Sequence, residues 1–274
     1  MNLKKICKWL FTAIGVVVIA QALTGCGGAP EKDHIIKVGA TSSPHAEILE
    51  QIKDDLKDEG YVLEIVEFND YVVPNQALSS GEIDANYFQH FPYLVDYNKN
   101  NDTQLKSAGG IHFEPLSLFA GKSRDYKNIK DGATIAVPSD ATNEARALLF
   151  LQDEGIITLK EDVGLEATKK DIKDNPHNVE IIEAEAASLP RKLEDVDFAV
   201  INGNYALSAN LSKKDLLATE DTQGEISKRY ANIIAVRAED IDSDKTHALM
   251  HALQSQKVKD FVDANYQGQV VTVF

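Results

Sequence analysis

The chain has 274 residues, of which 43% are hydrophobic and 26% charged, a globular composition that excludes a disordered, collagen-like or multi-span membrane protein. Lys and Arg number 28 against 43 Asp and Glu, a formal charge of -15, so the summed field repels phosphate backbones and excludes nucleic acid as a partner. The two cysteines, Cys7 and Cys26, both lie near the start, which leaves the body without a disulfide framework or a cysteine-based metal site.

Lys4, Lys5 and Lys8 form a basic head, followed by an apolar run from Trp9 to Ala20 and the tetrad Leu23-Thr24-Gly25-Cys26. A run of about a dozen residues is too short to cross a hydrocarbon core, which needs about 20, and reads as the h-region of a secretion signal. The tetrad resembles a bacterial lipobox, whose cysteine is lipidated and becomes the first residue after cleavage. Residues 1–25 are then a leader and Cys26 the lipid anchor on the extracytoplasmic face of the cell membrane. The remaining chain has 25 basic and 43 acidic residues, a formal -18. Residues 26–34 read as a flexible tether.

The globule is expected to begin at Ile35. Ile35 to Ala40 reads as a strand, and Ser43-Pro44 as an N-cap with proline at the first helical position. Ile48, Leu49, Ile52 and Leu56 recur at helical spacing up to Gly60, and Tyr61 to Phe68 alternates as a half-buried strand does. A strand, helix and strand within about thirty residues argue for parallel pairing and an α/β fold. Further on, 134–137, 179–182, 197–201 and 231–236 read as strands, 142–154 as a helix, and 247–266 as one long final helix.

Two polar, Gly- or Pro-containing stretches, 113–122 and 221–227, read as crossings between two lobes. The expected division is 35–115 with 225–274 in a discontinuous first lobe and 116–224 in the second. A cleft between lobes is a common place for a small-molecule site.

Three constellations could line it. Asp70 to Asn75 and Asn86 to Leu94 concentrate Tyr71, Phe88, His90 and Tyr93 in what read as loops, able to wall a polarisable slot that suits a thioether. Asp140 to Arg146 opens a helix, with Asp140 or Thr142 as cap and with Asn143 and Arg146 on one face, where a guanidinium can hold a carboxylate by two parallel bonds; solvation, or pairing with Glu144 or Asp153, would occupy it instead. Asn202-Gly203-Asn204 and Asn232 offer amide oxygens to an ammonium group, although Asn beside Gly is also ordinary turn chemistry.

Enzyme signals fail. Gly121-Lys122-Ser123 ends like a phosphate loop, but Leu116 stands where the loop needs its first glycine. His247 and His251 are one turn apart without the accompanying acid, and His45, His112 and Glu114 show no companions in sequence. No cofactor, metal or catalytic residue is expected.

The lipobox, Asp70-Tyr71-x-x-Pro-Asn75, Phe88-Gln-His90-x-Pro-Tyr93, Thr142-Asn143-x-x-Arg146 and Asn202-x-Asn204-Tyr together resemble the methionine-binding lipoproteins of the NlpA/MetQ family, from about Ile35 to the C-terminus. The resemblance implies a two-lobe periplasmic-binding-protein fold of type II-like form, with two crossovers and a ligand cleft. It also implies capture of methionine, in its L- or its D-form, for an ABC importer permease and its ATPase. By motif, Tyr71, Phe88, His90 and Tyr93 line the side-chain pocket and Arg146 takes the carboxylate. Asn204 and Asn232 then stand near the amino group, and Asn143 near the carboxylate. Ala141 and Ala145 depart from the usual Pro and Gly of the family, and Leu116-Ser117-Leu118 from its commoner crossing, which leaves room for a methionine dipeptide or another small amino acid. A surface lipoprotein that binds proteins is the reading from another class.

Overall fold

The computed structural model describes residues 34–211, 213–222 and 225–274; the expected leader and Cys26 lie outside the described residues. Strand β1 (Ile35–Ala40), helices α1 (Glu47–Gln51) and α2 (Lys53–Asp58) and strand β2 (Val62–Glu67) form the expected first unit, with β1 and β2 parallel from Ile35–Val62 to Ala40–Glu67. Helix α3 (Val73–Ser79), β3 (Ala85–His90), α4 (Phe91–Asn101) and β4 (Lys106–Phe113) follow. The chain then forms β5 (Ser117–Ala120), β6 (Thr134–Pro138), α5 (Ala141–Asp153), the short pair β7 (Thr158–Leu159) and β8 (Ile172–Asp174), and β9 (Glu180–Ala184). The last stretch carries α6 (Leu189–Lys192), β10 (Phe198–Ile201), α7 (Gly203–Ser208), β11 (Leu216–Thr219), α8 (Glu225–Arg229), β12 (Asn232–Val236), α9 (Asp244–Leu253), α10 (Gln256–Tyr266) and β13 (Val271–Thr272).

Two mixed sheets result. One has the order β13-β4-β12-β3-β1-β2 and the other β11-β5-β10-β6-β9. The chain leaves the first sheet after Phe113, enters the second at Ser117, and returns between Thr219 and Asn232. Each sheet has its own apolar core. Ile36, Val38, Leu49, Leu253 and Val262 pack in the first, and Ile135, Val137, Leu148, Phe198 and Val200 in the second. The molecule is thus a two-lobe α/β protein whose chain crosses twice between the lobes.

Several sequence expectations change. The stretch 113–122 is not a linker throughout, because Ser117–Ala120 pairs with both β10 and β11; only Glu114, Pro115 and Leu116 cross. Ser43 has the extended backbone of an N-cap (φ -125°, ψ 136°), but the turn it enters, Ser42–Ala46, is irregular and α1 proper begins only at Glu47. The last helix is two, because Ser255 starts α10 by accepting the Val258 N–H. Asn86 to His90 is not a loop but strand β3, held between parallel β1 and antiparallel β12 and buried along its whole length.

Asn86 and Gln89 hide that strand from a hydrophobicity count, and their burial has a local cause. Asn75 donates to Gln89 Oε1 at 2.9 Å, and its own oxygen accepts from Asn86 Nδ2 at 2.8 Å and Gln89 Nε2 at 2.7 Å. The amides satisfy one another, so their burial is tolerated, and they pin α3 to β3.

Candidate functional site

The carboxyl ends of β2, β3, β6 and β10 lead into the residues that line the gap between the lobes, the position that open α/β sheets give their ligands. Each end delivers a prepared side chain. After β2, Asp70 Oδ1 accepts the N–H groups of Val72 at 2.7 Å and Val73 at 2.9 Å, which fixes the turn carrying Tyr71. At the end of β3, His90 Nδ1 accepts the Tyr93 N–H at 3.2 Å and starts α4. After β6, Asp140 caps α5 by accepting from Asn143 N at 3.0 Å, so the first turn of that helix presents Asn143 and Arg146.

All eight expected residues come together. Tyr71, Phe88, His90, Tyr93, Asn143, Arg146, Asn204 and Asn232 line one cavity between the lobes. Gln89, Glu114, Asn202 and Gly203 complete its wall. The lobes already touch around it: Tyr71 donates to Asn204 Oδ1 at 2.5 Å, and His90 Nε2 meets Asn143 Oδ1 at 3.2 Å.

One end of the cavity is aromatic. The rings of Tyr71, Phe88 and Tyr93 stand 5.7–5.9 Å apart, centroid to centroid, as three sides of a triangle. Such ring edges suit a thioether or a short apolar chain. The Tyr93 hydroxyl is tied to the Tyr71 carbonyl at 2.9 Å, so the triangle is held by hydrogen bonds as well as by packing.

The other end is ionic. Arg146 is 4% exposed, lies 4.4 Å over the Tyr230 ring, and pairs with Glu220 rather than with Glu144 or Asp153. Glu114 faces it from the outward crossing, its carboxyl group pushed above the usual range chiefly by burial. Gly203 is what lets Glu114 sit there, since a Cβ at that position would stand 2.7 Å from Oε2 and 2.8 Å from the Glu114 Cβ. Two further polar atoms, Asn202 Oδ1 and Asn204 Nδ2, are buried with no protein partner among the described residues. A buried acceptor and a buried donor left open in one cavity call for a ligand that offers both kinds of group.

This geometry reassigns some of the amides. The Asn204 oxygen is taken by Tyr71, so its open end is a donor, and the oxygen free for a cation is that of Asn202. Asn143 lines the cavity with both ends engaged: Nδ2 with Asp140 at 2.9 Å, and Oδ1 with Asn202 Nδ2 at 2.9 Å and with His90.

His45, His112 and Glu114, which showed no companions in sequence, form a buried cluster with ligand atoms within 4.8 Å of one another. Tyr87 joins His112 Nδ1, His112 Nε2 meets Glu114 Oε1 at 2.7 Å, and His45 Nε2 lies 3.4 Å from the same oxygen. Thr41 and Asn232 hold the two ends of the His45 ring. These groups come from β3, β4, β12 and the turn after β1, separations that local sequence cannot show.

Burial lowers the three histidines, His45 to about 4 and His90 and His112 to about 3. Below about pH 6.5 the unfolded chain takes up protons that the folded chain refuses, so stability falls as pH drops from 6.5 towards 4, by up to about 1.4 kcal/mol per pH unit for each imidazole. The raised Glu114 acts oppositely in its own window above 4.5, where the folded form holds the extra proton. The expected result in denaturant titrations is a plateau above pH 7 and a clear decline below 6.5. A midpoint unchanged from pH 7 to 5 would contradict these neutral, buried imidazoles.

No helix among the described residues is long and apolar enough to cross a membrane. The profile of the NlpA lipoprotein family matches residues 36–274. The chain is 40% identical to the methionine-binding lipoprotein MetQ of Bacillus subtilis, over 97% of this chain and 99% of that one. It is 38% identical to the D-methionine-binding lipoprotein MetQ of Escherichia coli, over 95% and 96% of the two chains. The solved structure of a nutrient binding protein from Burkholderia cenocepacia bound to methionine aligns with a TM-score of 0.82 at 44% identity, covering 87% of this chain and all of that one. With a match that spans both sheets and the cavity between them, the chain belongs to the NlpA lipoprotein family.

Proposed function

We propose that this protein is a lipid-anchored, extracytoplasmic substrate-binding protein that captures methionine and delivers it to the permease and ATPase of an ABC importer. The observation that carries the reading is the cavity itself, with an aromatic triangle at one end and Arg146 and Glu114 at the other. An α-amino acid with a thioether side chain complements each part. Its carboxylate suits Arg146 Nη1 and Asn204 Nδ2, its ammonium suits Glu114 and Asn202 Oδ1, and its sulfur suits the ring edges. The relative from Burkholderia bound to methionine supports the same choice.

The role is binding, not catalysis. Residues 35–115 with 225–274 form one moving lobe and 116–224 the other, and ligand contacts from both favour the closed form that an importer recognises. Cys26 carries the lipid, which keeps the acidic globule beside its importer. Methionine has about nine non-hydrogen atoms, and at a ceiling of about 1.5 kcal/mol each, affinity is bounded near nanomolar.

A thermal-shift panel of amino acids and dipeptides, run on the protein after refolding to remove any retained ligand, tests the reading. The largest stabilisation is expected from methionine, with weak responses to glutamate, lysine and glycine. Stabilisation by a methionine dipeptide alone, or by no amino acid, would contradict it.

A further inference from the structure

Arg146 is not free in the cavity. Its Nε donates to Glu220 Oε1 at 3.0 Å and its Nη2 to Glu220 Oε2 at 2.6 Å, the fork-to-fork pairing of guanidinium and carboxylate. Nη2 also donates to the Glu114 carbonyl at 2.9 Å. Among the described residues, Nη1 donates to no protein acceptor, and Arg146 lines the cavity.

Glu220 is the first residue of the return crossing, directly after β11. Its Oε2 accepts the Leu116 N–H at 2.7 Å, and its own N–H donates to the Leu116 carbonyl at 3.0 Å. Leu116 belongs to the outward crossing, as does Glu114. One carboxylate and one guanidinium therefore join α5 to both crossings, and all of these groups are buried.

We propose that Glu220 is a positioning residue: it holds Arg146 away from the Glu114 carboxylate, so that the cavity keeps its cation and its anion apart, and it ties a bound carboxylate to the two crossings. The inference rests on the cavity being an amino-acid site. Arg146 and Glu114 are neighbours of opposite charge with a flexible side chain between them. Released from Glu220, the guanidinium has the Glu114 carboxylate within reach, and pairing the two would cancel the groups that recognise the two ends of an amino acid. Held by Glu220 before any ligand arrives, Arg146 has little freedom left to lose on binding.

Removing the Glu220 charge has two opposed effects. It makes Arg146 a stronger attractor for an added anion, and it lets Arg146 turn to Glu114. If Glu220 positions Arg146, the second effect dominates. Comparing methionine with methioninol, in which a hydroxymethyl group replaces the carboxylate, separates the effects because only methionine uses the guanidinium as an anion site.

The test measures both affinities by calorimetry in the wild-type protein and in Glu220→Gln, with the unfolding midpoint recorded independently. The preference for methionine over methioninol is expected to fall at least tenfold in Glu220→Gln. An unchanged preference with lowered stability would make Glu220 merely structural, and a raised preference would make it a competitor of the ligand; either overturns the inference. If Glu220→Gln does not fold, Glu220→Asp serves, since it keeps the charge but is too short to reach both the guanidinium and Leu116. The same loss of preference is expected there. A wild-type protein that binds neither compound would overturn the reading of the cavity itself, a result distinct from the other two.

Discussion

Arg146→Ala is expected to weaken methionine binding by about 3–5 kcal/mol, a loss of two to three decades or more in affinity. Nη1 is the guanidinium nitrogen left for a ligand carboxylate, and a carboxylate enclosed without it would be a buried charge with no partner. The same substitution orphans Glu220, whose two carboxylate oxygens now accept from Arg146. A fall in thermal stability should therefore accompany the loss of binding. Calorimetry on the folded variant, at a temperature well below its own midpoint, separates the two effects. Unchanged affinity would remove Arg146 from the site.

Glu114→Gln is expected to cost about 1.5–3 kcal/mol of methionine affinity, the range for a hydrogen bond to a charged group. Glutamine keeps the shape that fits against Gly203 but removes the charge that meets the ammonium. N-acetylmethionine lacks the ammonium, so its weaker binding should be the same in the wild-type protein and the variant. If both ligands lose equally, Glu114 acts through the His45–His112 cluster on the shape of the lobe rather than on the ligand. The carboxyl group has a raised pKa through burial. Methionine affinity should accordingly fall as pH drops through that raised value, because a protonated Glu114 has no charge to offer.

How far the sequence foretold this site depends on the distance over which each feature is encoded. The strands β1, β6, β10 and β12 are short apolar runs and β2 an alternating one, and they were legible as such. The start of α5 was legible too, with Asp140 or Thr142 as its cap; Asp140 takes that place, accepting from Asn143 three residues on. Strand β3 was misread because Asn86 and Gln89 satisfy their amides against Asn75 from another element, a compensation invisible to hydrophobicity. The final helix divides at Ser255, where a cap interrupts an otherwise continuous apolar face.

The same rule holds for the cavity. Seven of its eight expected residues lie within compact motifs, placed by a turn, a strand end or a helix start, and Asn232 stands alone at the start of β12. Glu114 was visible but undervalued, since its neighbours His45 and Asn232 are remote in the chain. Glu220 had no signal at all: Arg146 lies 74 residues before it, and only the meeting of the two crossings brings them together.

The central claim is that methionine lies across this cavity with its charged end between Arg146 and Glu114. A crystal structure of the protein with L-methionine tests it most directly. The account predicts the carboxylate on Arg146 Nη1, the ammonium on Glu114 and Asn202, and the sulfur among Tyr71, Phe88 and Tyr93. Methionine bound outside this cavity, or reversed within it, would contradict the account.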